Sequence, residues 1–498
     1  MSFIIRQIAS NINYEGGLQL SGNNVVWQES EGNGIEIYLY NGNSTIQLTD
    51  NTRNDFNPQI SGNNVVWWSF DDNDSEIYLY NGSNTIQLTD NSFSDYDPQI
   101  SGSNVVWRSE TGIYLYNASN TIQLTDTTNN ANYKPKISGN NVVWSQFDGN
   151  SEDIFLYNGN TTIRLTDNGS NFDPQISGNN VVWVGFDGDD SEIYLYNGST
   201  TIQLSDNNLS DYSPQISGNN VVWWNFDGNS NFTINLYNGS STIKLADDSI
   251  NDFPPQISGN NVVWVGSDGN DTEIYLYNGS TTIQLTDNSF DDGSPRIDGN
   301  NLVWYSYDGS YSIYSTTLPL WSDVTTTLPA DVSDLVLTGT DNINGFGNQL
   351  DNSLTGNDAD NVLFGKAGDD IILGEAGSDR LIGGLGADTL TGGDGADFFI
   401  RKYSNAGIDT ITDFNVAEDT LLFSASGFSG GLVSGAPITS AQFTIGVGAV
   451  AESDRFIYNS TTGSLFFDVD GIGSSEQVQI AQLSTGLAMT ADNIFVFA

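Results

Sequence analysis

The sequence has no cysteine and no histidine in its 498 residues, and only 13 lysines and arginines against 62 aspartates and glutamates, for a net charge of -49. Without cysteine there is no disulfide, thiolate nucleophile or thiolate metal ligand, and cysteine usage says nothing of the compartment. Without histidine, Ser-His triads, histidine-ligated metals and the commonest general base near neutrality are excluded. So few basic residues exclude a nucleic-acid or anionic-membrane surface, because so acidic a chain repels phosphate and concentrates cations. A solvated halophilic surface would account for part of the same acidity. Long apolar runs are missing too. Phe3, Ile4 and Ile5 form the only apolar run at the start, too short for the core of a signal peptide. No stretch reaches the ~20 apolar residues of a membrane span. The expectation is a soluble chain that, if exported, leaves by a route needing no N-terminal signal.

Glycine, by contrast, is abundant and locally concentrated. From Gly365 to Ile400 the chain reads GKAGDDIIL, GEAGSDRLI, GGLGADTLT and GGDGADFFI. Each nine-residue unit begins on glycine (Gly365, Gly374, Gly383, Gly392) and has a second at position 4 (Gly368, Gly377, Gly386, Gly395). Position 6 is aspartate (Asp370, Asp379, Asp388, Asp397), and position 8 is apolar (Ile372, Leu381, Leu390, Phe399). Glycine takes positive φ and turns tightly. The residues after the aspartate predict a short strand with one inward side chain, and two units predict one coil of a parallel β-roll. Asp370 then stands near Asp388 on one edge and Asp379 near Asp397 on the other, at the ~4.8 Å spacing of stacked strands. Bare carboxylates so placed repel by ~1 kcal/mol in water and by several at lower effective dielectric. A hard cation with about six to eight oxygen ligands reverses that sign. Carboxylates and carbonyls of the glycine turns suit calcium better than magnesium, and zinc favours His or Cys. Two units precede in the same phase, from Gly347 and Gly356, but Asn352 and Asn361 replace the aspartate. Calcium is not expected there.

This block resembles the RTX (repeats-in-toxin) family of secreted calcium-binding proteins. The resemblance implies Ca2+ at the four aspartates and their glycine turns. IDTITDFNVAEDTLLF (Ile408 to Phe423) and RFIYNSTTGSLFFDVDGIG (Arg455 to Gly473) are similar to the region that follows the nonapeptides in RTX exoproteins. The final residues, Asp492 to Ala498, resemble the uncleaved type I secretion signal of that family, and read equally as a last core strand. The resemblance therefore implies type I secretion machinery as a partner. Asp468 and Asp470, two apart before Gly471, offer either one further calcium site or a β-turn.

Ahead of the roll, one sequence is written eight times. Its anchor, SGNNVVW in most copies, ends at Trp27, Trp67, Trp107, Trp144, Trp183, Trp223, Trp264 and Trp304. A β-rich period of ~40 residues indicates propeller blades. In the copy beginning at Pro174, PQIS predicts a strand and Gly178-Asn179-Asn180 a turn. Asn180 to Val184, Glu192 to Tyr196 and Thr201 to Leu204 predict three more strands, with Asn197-Gly198 as a hairpin turn. Four antiparallel strands make a blade. The fourth occurs only seven times after its own blade, and Ile5 to Ala9 is expected to complete the eighth, leaving no free edge. Val324 to Leu328 is the rival donor. The repeats resemble TolB-like propellers in the P-x-x-S-x-G-x-x-Φ-x-W/F and I-Y-L-Y segments.

The expected fold is all-β. An eight-bladed β-propeller spans 1–318, closed by the N-terminal strand. A linker follows at 319–338, then an RTX parallel β-roll of calcium-binding nonapeptides at 339–400. A β-rich C-terminal cap with the secretion signal fills 401–498. Two residues before the blade prolines stand aromatics: Phe56, Tyr96, Tyr133, Phe172, Tyr212 and Phe253. Asp55, Asp95, Asp173, Asp211 and Asp252 flank them. Such a ring would stack on and hydrogen-bond a glycan, or plug the blade junctions. No break in the repeat brings two unusual acids together as a carboxylate-pair glycosidase requires, so no catalytic residue is assigned. The expectation is a calcium-binding protein, extracellular or at the cell surface, with the propeller as a binding or adhesion module for a glycan, cell-surface or matrix ligand. Alternatives are an extracellular polysaccharide hydrolase or lyase and a structural surface-layer component. Extracellular modules bind calcium with Kd of roughly 10⁻⁴ to 10⁻³ M, so the roll is expected to stay unfolded in the cytosol and fold outside.

Overall fold

The computed structural model describes residues 3–498 apart from 13–15, 33, 71–72, 126–130, 168, 227–231 and 248–253. The chain divides into two compact units, residues 1–318 and 319–498.

The first unit is eight four-stranded antiparallel sheets. Blade five shows the pattern, with strands Asn171–Ser177, Asn180–Phe186, Ser191–Tyr196 and Thr201–Gln203. Side chains alternate across a strand, so Asn180–Phe186 feeds two interfaces. Val181 and Trp183 pack with Val143, Ile154 and Leu156 of the preceding blade. Val182 and Val184 pack with Val221 and Trp223 of the following one. Both faces are buried, so the strand reads as a continuous apolar run. Trp183 stacks on Tyr194 at 5.9 Å and gives its Nε1 hydrogen to Asn171 Oδ1 at 3.1 Å. The SGNN segment does more than turn the chain. Asn180 Nδ2 donates to the Gly218 carbonyl and Asn219 Oδ1, and Gly218 N donates to Ser177 Oγ at 2.9 Å, so each turn is stapled to the next blade's turn.

The eighth sheet holds Asp291–Asp298, Asn301–Tyr307, Tyr311–Thr317 and, on its outer edge, Arg6–Ile12. Arg6 pairs with Ser315 and Ile12 with Tyr311. Ile12, Leu18, Val25 and Trp27 share one core with Val303, Tyr305 and Ile313. Gly22 N donates to Asp298 Oδ2 at 2.7 Å, which carries the turn staple across the closure. The rival donor lies elsewhere: Thr326–Thr327 pairs with Gly345–Phe346 in the second unit.

That second unit is a parallel β-solenoid of two sheets. One runs through Leu320–Ser322, Asp334–Leu337, Ser353–Thr355, Ile371–Leu373, Thr389–Thr391 and Asp409–Ile411. The other runs through Thr326–Thr327, Gly345–Phe346, Val362–Ala367, Arg380–Leu385, Phe398–Arg401 and Thr420–Ser424. Within the nonapeptides the register steps by two units, Ile371 on Thr389 and Arg380 on Phe398. The inward column, Leu354, Leu363, Ile372, Leu381, Leu390 and Phe399, is buried.

Two expected boundaries change. Residues 319–338 are not a linker. Their three strands start the solenoid: Leu335, paired with Leu354, continues the inward column at 0% exposure, and Leu337 is buried in the same core at 3%. Prolines and threonines gave the segment a linker's composition, yet Pro319 and Pro329 lie outside its strands. The roll also runs past residue 400, because Asp409–Ile411 and Thr420–Ser424 form another coil with inward Ile411 and Leu421. Val478–Gln482, Ser464–Phe467, Phe456–Tyr458 and Phe443–Ile445 then extend one sheet, and Ile494–Phe497 pairs parallel to Thr420–Ser424 in the other. Phe423, Phe428, Phe456 and Phe467 pack together where the last coil is covered.

Candidate metal centre

The four position-6 aspartates are the most deeply buried acids of the roll, with Asp370, Asp388 and Asp397 1% exposed and Asp379 0%. The strand that follows each one turns its carboxylate into the edge of the coil. There Oδ1 accepts a backbone N–H from one coil earlier. Asn352 N donates to Asp370, Asn361 N to Asp379, Asp370 N to Asp388 and Asp379 N to Asp397, at 2.8 to 2.9 Å. This makes two ladders, one on each edge, pairing Asp370 with Asp388 and Asp379 with Asp397.

The other oxygen is different. Oδ2 of all four aspartates is buried without any hydrogen-bond partner. A buried, unpaired carboxylate oxygen is costly. Burial pushes these carboxyls up from 3.8, Asp370 to about 6, Asp379 to about 7, Asp388 to about 7 and Asp397 to about 6. The backbone bonds oppose that rise and neighbouring carboxylates add to it.

Both glycine positions have a reason here. A Cβ on Gly365, Gly374, Gly383 or Gly392 would run into Oδ2 of the aspartate five residues on. At Gly365 it would also meet the Gly383 carbonyl at 2.7 Å, and at Gly374 the Gly392 carbonyl. Carboxylate and carbonyl oxygens therefore converge on a small space that only glycine leaves open. Gly368, Gly377, Gly386 and Gly395 have φ of 118°, 126°, 136° and 142°, where an L side chain is strained. The donor set is oxygen only, which fits a hard cation of calcium's class. Held there, the ion would neutralise the orphaned oxygens.

The asparagine units behave as a control. Asn352 Nδ2 donates to the Ser333 carbonyl and to Asn348 Oδ1, while its Oδ1 accepts from Asn348 N. Asn361 does the same with the Ile343 carbonyl, Asn357 Oδ1 and Asn357 N. These amides satisfy themselves and leave no orphan.

Three further acids extend the ladders beyond the nonapeptides. Asp388 N donates to Asp409 Oδ1 at 3.3 Å and Asp397 N to Asp419 Oδ1 at 3.0 Å, while Asp413 accepts from Gly392 N and Gly393 N. At Asp409 an arginine supplies the positive charge, Arg401 Nη1 lying 2.6 Å from Oδ2. The available signal was the triplet Asp388-Thr389-Leu390, which returns as Asp409-Thr410-Ile411 and Asp419-Thr420-Leu421 at a lengthened spacing.

Asp468 and Asp470 lie in a bend, where Asp470 Oδ1 is buried without a partner. Asp468 Oδ1 accepts from Asp470 N and Gly471 N, and Asp470 Oδ2 accepts from Ser475 N and Oγ. Among the propeller aromatics, Phe56 lies 4.6 Å from Trp68 and Tyr212 5.0 Å from Trp224, ring centroid to centroid. Arg108 covers Tyr96 at 4.5 Å, and Phe172 packs against the core between blades five and six. All four are half-buried. The side chain of Tyr133, and Phe253 altogether, lie outside the described residues. Asp55, Asp95 and Asp211 face inward and accept the Nε1 hydrogens of Trp67, Trp107 and Trp223. They hold the blades rather than face a ligand.

The RTX calcium-binding nonapeptide repeat matches residues 346–381 and 373–401, in four copies. Residues 346–401 of the roll are RTX calcium-binding repeats. A search of curated proteins finds no match to the chain. Among solved structures, BamB from Moraxella catarrhalis is 14% identical, covering 62% of this chain and 99% of that one at a TM-score of 0.43. A putative TolB from Agrobacterium tumefaciens is 16% identical over 41% of this chain and 84% of that one, at 0.30. An acylaminoacyl peptidase from Pyrococcus horikoshii is 14% identical over 60% of this chain, at 0.40, and the match spans 57% of that peptidase's own length. Likenesses this loose carry no argument about function, and the blade count rests on the strand order itself.

Proposed function

We propose that this is a secreted calcium-binding protein whose RTX roll folds on calcium outside the cell, behind a propeller that acts as a binding or adhesion module. The observation that carries the first half is the set of four buried Oδ2 atoms without a partner. An ion-free roll holds charges it cannot satisfy, and a chain with so little to neutralise them stays open until a cation arrives. When no site pre-exists, binding free energy is folding free energy. Such a roll suits export as an unfolded chain through a type I channel, with folding on arrival in millimolar calcium.

For the propeller, the half-exposed pairs Phe56 with Trp68 and Tyr212 with Trp224 are the surfaces that would stack on a sugar ring. The ligand in this reading is a glycan of a cell surface or matrix.

Two measurements on the full chain test the two halves separately. Circular dichroism in chelator and in millimolar calcium should show β signal gained with the ion, and an identical spectrum would remove the folding reading. Glycan-array binding in calcium should be lost in Phe56→Ala and Tyr212→Ala, and no binding by the unaltered chain would remove the glycan reading alone.

A further inference from the structure

The propeller contains a second kind of acidic site, in loops that read as simple turns in the sequence. Blade seven carries Asp268-Gly269-Asn270-Asp271-Thr272-Glu273 between strands Asn261–Ser267 and Thr272–Tyr277. One carboxylate oxygen each from Asp268, Asp271 and Glu273 lie within 4.8 Å of one another. Asp268 is exposed and bent over the loop by accepting from Asn270 N at 2.8 Å, while Glu273 is 0% exposed at the bottom. Glu273 uses Oε1 to accept from Asn288 N at 2.9 Å, and its Oε2 is buried with no partner. Asp271 Oδ1 is buried and unpartnered as well, and so is Oδ1 of Asp292, which stands against Glu273 and is 1% exposed. No lysine or arginine occurs between Lys244 and Arg296. Two of the three acids in the cluster, Asp271 and Glu273, thus each carry a buried oxygen without a partner, and the cluster is open to solvent on the Asp268 side.

Blade five carries a related cluster, with Asp206 in the place that Asp271 takes in blade seven. Its loop is Asp187-Gly188-Asp189-Asp190-Ser191-Glu192, the same Asp-Gly-x-Asp-x-Glu. Oxygens of Asp187, Glu192 and Asp206 lie within 4.8 Å of one another. Glu192 is 0% exposed, its Oε1 accepts from Asn207 N, and its Oε2 is buried and unpartnered, as is Asp190 Oδ2.

Blade four shows what happens when the pattern breaks. Its loop runs Asp148-Gly149-Asn150-Ser151-Glu152-Asp153, with serine in the place of Asp271 and Asp153 in the place of Glu273. There Arg164, on the neighbouring fourth strand, places Nη2 2.5 Å from Asp153 Oδ2, and Ser151 Oγ donates to the same oxygen. Blades five and seven carry Gln203 and Gln284 at the position of Arg164. In this blade, where serine replaces the second aspartate, a side-chain cation fills the space.

We propose that blades five and seven each bind a hard divalent cation, of calcium's class, in the Asp-Gly-x-Asp-x-Glu loop. Asp187, Asp190, Glu192 and Asp206 hold one ion, and Asp268, Asp271 and Glu273 hold the other, with Asp292 beside it. An all-carboxylate, partly solvated cup suits an ion that takes many oxygen ligands in irregular geometry. The sites are independent of the roll and would tie the loops between second and third strands to the blade core.

Calcium stoichiometry of the full chain, by equilibrium dialysis with the metal alone, tests this. The double variant Asp187→Asn with Asp268→Asn should bind two ions fewer than the unaltered chain. Asp190→Asn with Asp271→Asn should give the same loss, so misfolding of one pair leaves the other informative, with near-ultraviolet dichroism of the tryptophans as the check on the fold. A chain with Asp370, Asp379, Asp388 and Asp397 all changed to Asn should keep those two ions. An unchanged count in a folded loop variant, or no ion left in the roll variant, overturns the proposal and assigns the orphaned oxygens to protons shared within pairs such as Glu273 and Asp292.

Discussion

In the absence of calcium, taking the solution from about pH 8 to about pH 5 should fold the β-roll rather than loosen it. Carboxyls usually stabilise proteins in the opposite sense, being ionised and paired in the folded state. Here Asp370, Asp379, Asp388 and Asp397 are held, by burial, at about 6, 7, 7 and 6 in the folded ion-free roll against 3.8 for the exposed group. The folded state therefore binds protons more tightly than the unfolded one. Between about pH 4 and 7 folding takes up protons, and stability falls as pH rises through that window. At ~1.4 kcal/mol for each unit of pKa, every ionised carboxylate costs the ion-free roll on the order of 3 kcal/mol at neutral pH. Four such groups come to about 12 kcal/mol, as large as the whole net stability of a domain. On that magnitude the ion-free roll is expected to be unfolded at pH 8 and to be stabilised by either protons or calcium. The assay is far-ultraviolet circular dichroism of the full chain in chelator across the pH range, with the calcium-saturated chain alongside. β signal should rise on acidification in chelator and stay flat with calcium. A chelated roll whose stability is flat or rises between about pH 5 and 8 would refute the reasoning.

Three further perturbations have definite outcomes. Gly374→Ala sets a Cβ against Asp379 Oδ2 and the Gly392 carbonyl; equilibrium dialysis should find at least one calcium lost from that edge, and an unchanged count would show the space is not the ion site. Asn171→Ala leaves the Nε1 hydrogen of Trp183 buried without its acceptor, which should cost the propeller ~1–3 kcal/mol in urea unfolding with or without calcium. Deleting residues 1–12 strips the outer strand from Tyr311–Thr317 and leaves an open edge; sedimentation should show self-association, and a clean monomer of unchanged stability would contradict the closure.

The regular parts of the fold were legible because one physical rule repeats. Gly365, Asp370 and Ile372 each do one job per unit, so spacing alone gave the coil, its edges and its inward column. Legibility ended where the spacing lengthened. Asp409 and Asp419 sit 21 and 22 residues beyond Asp388 and Asp397, so the nonapeptide frame no longer pointed to them. At Leu335 and Leu337 the composition of the surrounding segment masked a coil whose inward positions were intact. In the propeller, the NVVW run fixed the strand but not its two-sided use. Asn180 also read as a turn residue, although its amide reaches the next blade. The flanking acids misled for a related reason. Asp55, Asp95 and Asp211 look like surface residues beside an aromatic, and only the fold brings a tryptophan Nε1 to each. The loop acids of blades five and seven were hidden by their resemblance to ordinary Asp-Gly turns.

The central claim, that calcium and the roll fold together while the propeller stands apart, is tested most directly by hydrogen exchange of the full chain at neutral pH, read peptide by peptide in chelator and in millimolar calcium. Amides of residues 365–424 should exchange freely in chelator and become protected with calcium, while Trp-bearing strands such as Asn180–Phe186 stay protected in both. Protection of residues 365–424 in chelator equal to that in calcium would contradict the account.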